Sequence, residues 1–111
     1  MSGFSLAAKI TDVTEGKMKV VEIDDTRVLL CKVEGRICAI ADVCTHDGGP
    51  LGDGDLDGHE IICPRHGARF DVRTGAVLSF PAIVSVDAYP VKIEGDTVLV
   101  DVDAPIGEEM R

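Results

Sequence analysis

Apolar positions along the chain fall into short runs separated by turn signals, and no segment holds a 3.6-residue period for three turns. Residues 18–23 are β-branched and apolar. Residues 27–33 and 36–41 flank Glu34-Gly35, which reads as a hairpin turn. If that turn has two residues, Val33 faces Arg36, Lys32 faces Ile37, and Cys31 faces Cys38. Residues 59–63 form another short run. Residues 84–93 and 97–102 flank Glu94-Gly95-Asp96, a second hairpin. The pattern predicts an all-β class with little helix.

Residues 42–82 differ. They hold seven of the twelve glycines, together with Pro50, Pro64 and Pro81. Such loops do not pack a core by themselves, and a bound cofactor would give them a reason to be ordered. The stretches 1–41 and 83–103 read as the two halves of a β scaffold. Residues 104–111 read as a polar tail.

A length of 111 residues, with 45% hydrophobic and 28% charged positions, suits one globular domain. No apolar run is long enough to span a bilayer as a helix. Residues 1–6 offer no basic stretch followed by an apolar one, so a cytoplasmic, soluble protein is expected. A net charge of −9 argues against nucleic acid and anionic membrane surfaces as partners. It suits docking on positively charged proteins. From Ile37 to Pro64 there is no Lys or Arg, while Asp42, Asp47, Asp53, Asp55, Asp57 and Glu60 are present. This reads as an acidic zone that could steer basic partners. Arg65, Arg69 and Arg73 follow it.

Four cysteines occur, and in a cytosolic chain metal or redox roles gain weight over disulfides. Cys31 and Cys38 read as free core thiols, a strained cross-strand bridge being the alternative. Cys44-Thr45-His46 is a C-x-H pair and Cys63-Pro64-Arg65-His66 a C-x-x-H pair, with sixteen residues between His46 and Cys63. Two thiolates and two imidazoles make a four-ligand set suited to zinc or an iron–sulfur centre. Asp53, Asp55, Asp57 and Gly58 imitate a calcium loop, but its twelfth position is Pro64, so a turn around Asp57-Gly58 is expected instead. His59 is expected at the surface. Gly48, Gly49 and Gly52 read as loop glycines whose N–H groups could point at cluster sulfides. No phosphate loop or Ser-His-Asp set is evident.

The two-part motif closely resembles that of the Rieske-type 2Fe-2S ferredoxins, and the resemblance covers nearly the whole chain. It implies an antiparallel β-sandwich or barrel scaffold, with residues 1–111 as a single domain and a cluster-binding subdomain at about 42–82. It implies one 2Fe-2S cluster, with Cys44 and Cys63 on one iron and His46 and His66, at an exposed tip, on the other. Pro81 would belong to a third loop over the cluster. Respiratory members carry a disulfide-forming cysteine in each loop. The matching places here are Pro50 or its neighbours and Arg65. Those members also bring Ser and Tyr hydroxyls to sulfur, where this chain has Ala68 and Phe70. A potential of roughly −150 mV rather than +300 mV is therefore expected.

The family's role is single-electron carriage rather than catalysis. A monomeric chain would take electrons from an NAD(P)H-dependent flavin reductase. It would pass them, in transient complexes, to the terminal oxygenase of an aromatic-ring-hydroxylating dioxygenase system. The alternatives are a small Rieske subunit of another oxidoreductase, such as assimilatory nitrite reductase, and a structural zinc module for protein interaction.

Overall fold

A computed structural model describes residues 3–106. The strands are β1 (Phe4–Lys9), β2 (Met18–Ile23), β3 (Thr26–Val33), β4 (Arg36–Ala41), β5 (Asp55–Asp57), β6 (Glu60–Ile62), β7 (Arg69–Asp71), β8 (Val77–Ser79), β9 (Ala88–Tyr89), β10 (Val91–Glu94) and β11 (Thr97–Asp101), with a 3-10 turn at Ile10–Asp12. They form three open antiparallel sheets, ordered β1-β11-β10, β2-β3-β4-β9 and β5-β6-β7-β8. The all-β expectation holds, and no sheet closes into a barrel among the described residues.

The strand β3 is the wall shared by two cores. Side chains alternate along a strand. Accordingly Val28 and Leu30 join Ala39, Val98 and Val100 between the first and second sheets. Leu29, Cys31 and Val33 face the other way, toward Ile61, Phe70, Val72 and the two cysteines of the glycine-rich segment. Both faces of β3 are covered, which is why its sequence reads as a continuous apolar run rather than an alternation.

Two-residue turns join β2 to β3 and β3 to β4. Cys31 pairs with Cys38, Lys32 with Ile37 and Val33 with Arg36, the register the sequence predicts. The Glu15 carboxylate accepts the N–H groups of Glu34 and Gly35 at 2.8 Å each, fastening this turn to the preceding loop. In the β2–β3 turn, Asp24 and Asp25 both take positive φ, 49° and 65°. Two central residues of positive φ match the right-handed twist of the flanking strands.

The chain leaves the second sheet after Ala41 and comes back to it at Ala88. There β9 pairs with β4, and the Ala41 N–H donates to the Asp87 carbonyl at 2.8 Å. The third sheet and the candidate ligand loops all lie between these two points.

Two expectations need correction. Residues 84–93 are not one strand: Ala88–Tyr89 pairs with β4, whereas Val91–Glu94 pairs with β11. Pro90, without an N–H, stands where the chain changes sheets. Residues 104–111 are not simply a tail, since Ile106 packs on the core and its N–H donates to the Ala88 carbonyl at 2.7 Å. Residues 107–111 lie outside the described residues.

Candidate metal centre

Two turns of the same design carry the four donor residues. In the first, the Cys44 N–H donates to the Gly49 carbonyl and the Cys44 carbonyl accepts from Gly48. In the second, the Cys63 N–H donates to the Ala68 carbonyl and the Cys63 carbonyl accepts from Gly67. The glycine four residues after each cysteine has nearly the same φ, 77° at Gly48 and 78° at Gly67. A left-handed backbone at this point closes the turn and excludes most side chains. The sequence signal was the equal Cys-to-Gly offset in both loops, which the ligand spacing alone did not bring out.

The turns bring the donors together in two layers. Cys44 and Cys63 are buried, at 0% and 1% exposure, with their sulfurs and an Asp47 oxygen within 4.8 Å of one another. His46 and His66 are exposed, and their donor nitrogens and Asp47 lie within the same limit. The two rings meet edge to face at a centroid distance of 5.0 Å. Burial pushes the Cys44 thiol up, and Cys63 adds to this, while the N–H groups of His46 and Asp47 pull it down. A metal centre would therefore have sulfur on its core side and nitrogen on its solvent side.

Asp47 is the residue that the spacing argument missed. Its carboxylate accepts from Arg65 and from the Gly49 N–H at 3.0 Å, and lies 3.7 Å from His66 Nδ1. The Arg65 hydrogen bond holds its carboxyl well below the usual carboxylate range. Arg65 Nη2 also lies 3.4 Å from Cys63 Sγ.

Other expectations resolve as follows. The N–H groups of Gly48, Gly49 and Gly52 go to the Cys44 carbonyl, Asp47 and Asp42, so they are not turned toward a cluster. The acidic zone is only partly offset, because Asp42 pairs with Arg27, Asp47 with Arg65, and Asp57 and Glu60 share Arg69, so an excess of negative charge remains. Asp53, Asp55 and Asp57 belong to no converging donor set among the described residues. The β5–β6 turn is Gly58-His59, one residue beyond the expected Asp57-Gly58. His59 is half-exposed and lies 3.9 Å from Asp71. Ala68 and Phe70 are fully buried beside Cys63. The loop containing Pro81 lies against the first turn, where the Thr45 hydroxyl donates to the Val84 carbonyl. That loop exposes Phe80, Ile83 and Val84.

Comparison with known proteins bears on the same residues. The Rieske [2Fe-2S] domain family model matches residues 4–90. The ferredoxin component of the naphthalene 1,2-dioxygenase system of Pseudomonas aeruginosa is 41% identical over 95 residues, covering 86% of this chain and 91% of that protein. Among solved structures, the ferredoxin of carbazole 1,9a-dioxygenase from Nocardioides aromaticivorans IC177 superposes with a TM-score of 0.85 at 32% identity, covering 89% of this chain and 97% of that one. The structure of a complex of reduced oxygenase and oxidized ferredoxin in carbazole 1,9a-dioxygenase contains a chain that matches with a TM-score of 0.84 at 28% identity, covering 91% of this chain and 94% of that one.

Proposed function

The chain belongs to the Rieske [2Fe-2S] family, and from that premise we propose that Cys44 and Cys63 hold one iron and His46 and His66 the other. The donor chemistry fits a single 2Fe-2S cluster: two buried thiols and two exposed imidazoles converge from two turns of one design. This convergence is the observation that carries the reading. When bound, such a cluster stores and releases one electron.

The chain is an electron-transfer component, not an enzyme. It links a reductase to the terminal oxygenase of an aromatic dioxygenase system. Within that role its residues divide the work. The buried cysteines fix the centre to the core and exclude water from the sulfur side. The histidines stand at the surface, with the His66 side chain 55% exposed, so a partner's acceptor can come close to them. Imidazoles bring no negative charge, unlike thiolates, which favours the reduced state relative to an all-cysteine site. The finer reading is a monomer in the cytoplasm, acting as one domain whose cluster-binding part spans about residues 42–82. It would be served by an NAD(P)H-dependent flavin reductase. No helix of the described residues is long and apolar enough to cross a membrane.

Electron paramagnetic resonance of the anaerobically purified protein after dithionite reduction tests the assignment. A rhombic signal with average g well below the free-electron value supports it, and Ala in place of His66 should abolish that signal. A zinc-containing, colourless protein, or an unchanged centre in the His66→Ala protein, overturns it.

A further inference from the structure

Each cluster loop is closed by its own backbone hydrogen bonds, but the two loops also need to keep one distance and orientation between them. One side chain bridges that gap with hydrogen bonds. The Arg65 guanidinium crosses from the second loop to the first and donates from Nε and Nη2 to the two carboxylate oxygens of Asp47. Nη2 also reaches the Pro50 carbonyl at 3.5 Å and lies 3.4 Å from Cys63 Sγ. Gly49 provides the seat: a Cβ there would collide with the guanidinium carbon and Nη2. The carboxylate is held in turn by the Gly49 N–H, so both halves of the pair are oriented from the first loop.

We propose that Arg65 is a positioning residue that latches the two cluster loops through Asp47 and sets the reduction potential by holding its charge against the Cys63 sulfur. The proposal rests on the cluster reading above. Exposed ion pairs usually contribute little. This pair differs, because the two side chains are only 34% and 21% exposed and the fork engages both carboxylate oxygens. A fixed positive charge at a thiolate ligand favours the state carrying one more electron, so it raises the potential. It also lowers the freedom of the loops to part, so it slows metal loss.

Wild-type, Arg65→Gln, Arg65→Lys, Asp47→Asn and the Asp47→Asn/Arg65→Gln double variant should be purified with their clusters. Each is then measured by voltammetry, and by loss of visible absorbance in excess EDTA. Arg65→Gln should lower the potential by several-fold in the reduction equilibrium, where tenfold is about 59 mV for one electron. It should also shorten the EDTA half-life several-fold. Arg65→Lys, which keeps charge but not the fork, should restore much of the potential and little of the half-life. Asp47→Asn should shorten the half-life, and the double variant should lose its cluster no faster than the worse single one. If Arg65→Gln matches wild type in both measurements, or the two single effects add, the latch is overturned while the cluster reading stands. A wild-type protein without iron and acid-labile sulfide overturns the cluster reading and the latch together. Should Arg65→Gln fail to fold, Arg65→Lys and Asp47→Asn decide the matter by the same two measurements.

Discussion

Asp42 is wholly buried at its side chain, yet the Arg27 that pairs with it at 2.8 Å is 57% exposed. The other Asp42 oxygen accepts the Gly52 N–H at 2.7 Å. One carboxylate thus joins β3, the end of β4 and the far side of the first cluster loop. Removing one partner of a fully buried pair costs about 3–5 kcal/mol. Arg27→Ala leaves the buried carboxylate without its partner, so it should lower stability by about 3 kcal/mol. Asp42→Ala leaves a guanidinium that water reaches and orphans the Gly52 N–H, so a smaller loss of about 1–2 kcal/mol is expected. Thermal unfolding followed by far-UV circular dichroism should show a fall of roughly 4–6 °C per kcal/mol. Equal melting of Asp42→Ala and wild type would contradict this role.

Cys31 is fully buried, and burial, with Cys38 and Asp42 adding to it, pushes its thiol up to about 12 from an ordinary 9. The folded value is the higher one. Its contribution to stability is therefore present below about pH 9 and is lost as pH rises toward 12. In that window the unfolded chain releases a proton that the folded one retains, a slope of at most about 1.4 kcal/mol per pH unit. Cys31→Ala removes this slope, so the wild type's advantage in melting temperature should shrink steadily from pH 9 to pH 11. A constant difference across that range would refute the assignment.

The Asp24-Asp25 turn holds two non-glycine residues at positive φ. Left-handed backbone costs most residues about 1–2 kcal/mol, somewhat less for Asp. The Asp24→Asn, Asp25→Gly double variant supplies the residues such a turn favours. The gain is reduced by the extra freedom of Gly in the unfolded chain. A net stabilisation of about 0.5–1 kcal/mol is expected, read as a melting temperature several degrees higher. No rise would mean that the aspartates already adopt this geometry without cost.

The arginines that partly offset the acidic stretch moderate the expected salt dependence. Three arginines offset half of the six carboxylates, so steering by the region around the loops is reduced but not lost. The apolar Phe80, Ile83 and Val84 beside the first loop carry no charge to screen. Raising ionic strength from about 0.05 to 0.5 M should slow electron transfer to the cognate oxygenase, but by less than about tenfold. Stopped-flow measurement of cluster reoxidation checks this. A much steeper fall would show that the overall net charge of −9 dominates the encounter.

The sequence was most legible where local chemistry decides. The Glu34-Gly35 turn sets its own loop length, so the register of β3 on β4 could be read residue by residue. The strand β1 escaped notice because its register shifts between Leu6 and Ala8, leaving Leu6 70% exposed and spoiling the alternation. Strands β7 and β8 have three residues each, too few to show a period. At the candidate site, two short spacings singled out Cys44, His46, Cys63 and His66, which the structure brings together. Arg65 and Asp47 stand eighteen positions apart, with no local pattern to join them. The ion pairs of the acidic zone went unseen for the same reason, since Arg27, Arg65 and Arg69 lie outside the stretch whose carboxylates they meet.

The crossing at which Ala41 meets Asp87 and β9 returns to β4 has a consequence for how the molecule can change. Residues 42–87 begin and end side by side, so their removal would leave a gap that a short turn could bridge. The lower scaffold supplies an anchor, and the upper part is in effect a cartridge that enters and leaves at one seam and rests on the β3 face of Leu29, Cys31 and Val33. Loops in the cartridge can lengthen, shorten or exchange ligands without altering the pairing of the two sheets beneath. An engineer could transplant the segment at such a seam into another two-sheet protein only with an apolar face to match Leu29, Cys31 and Val33.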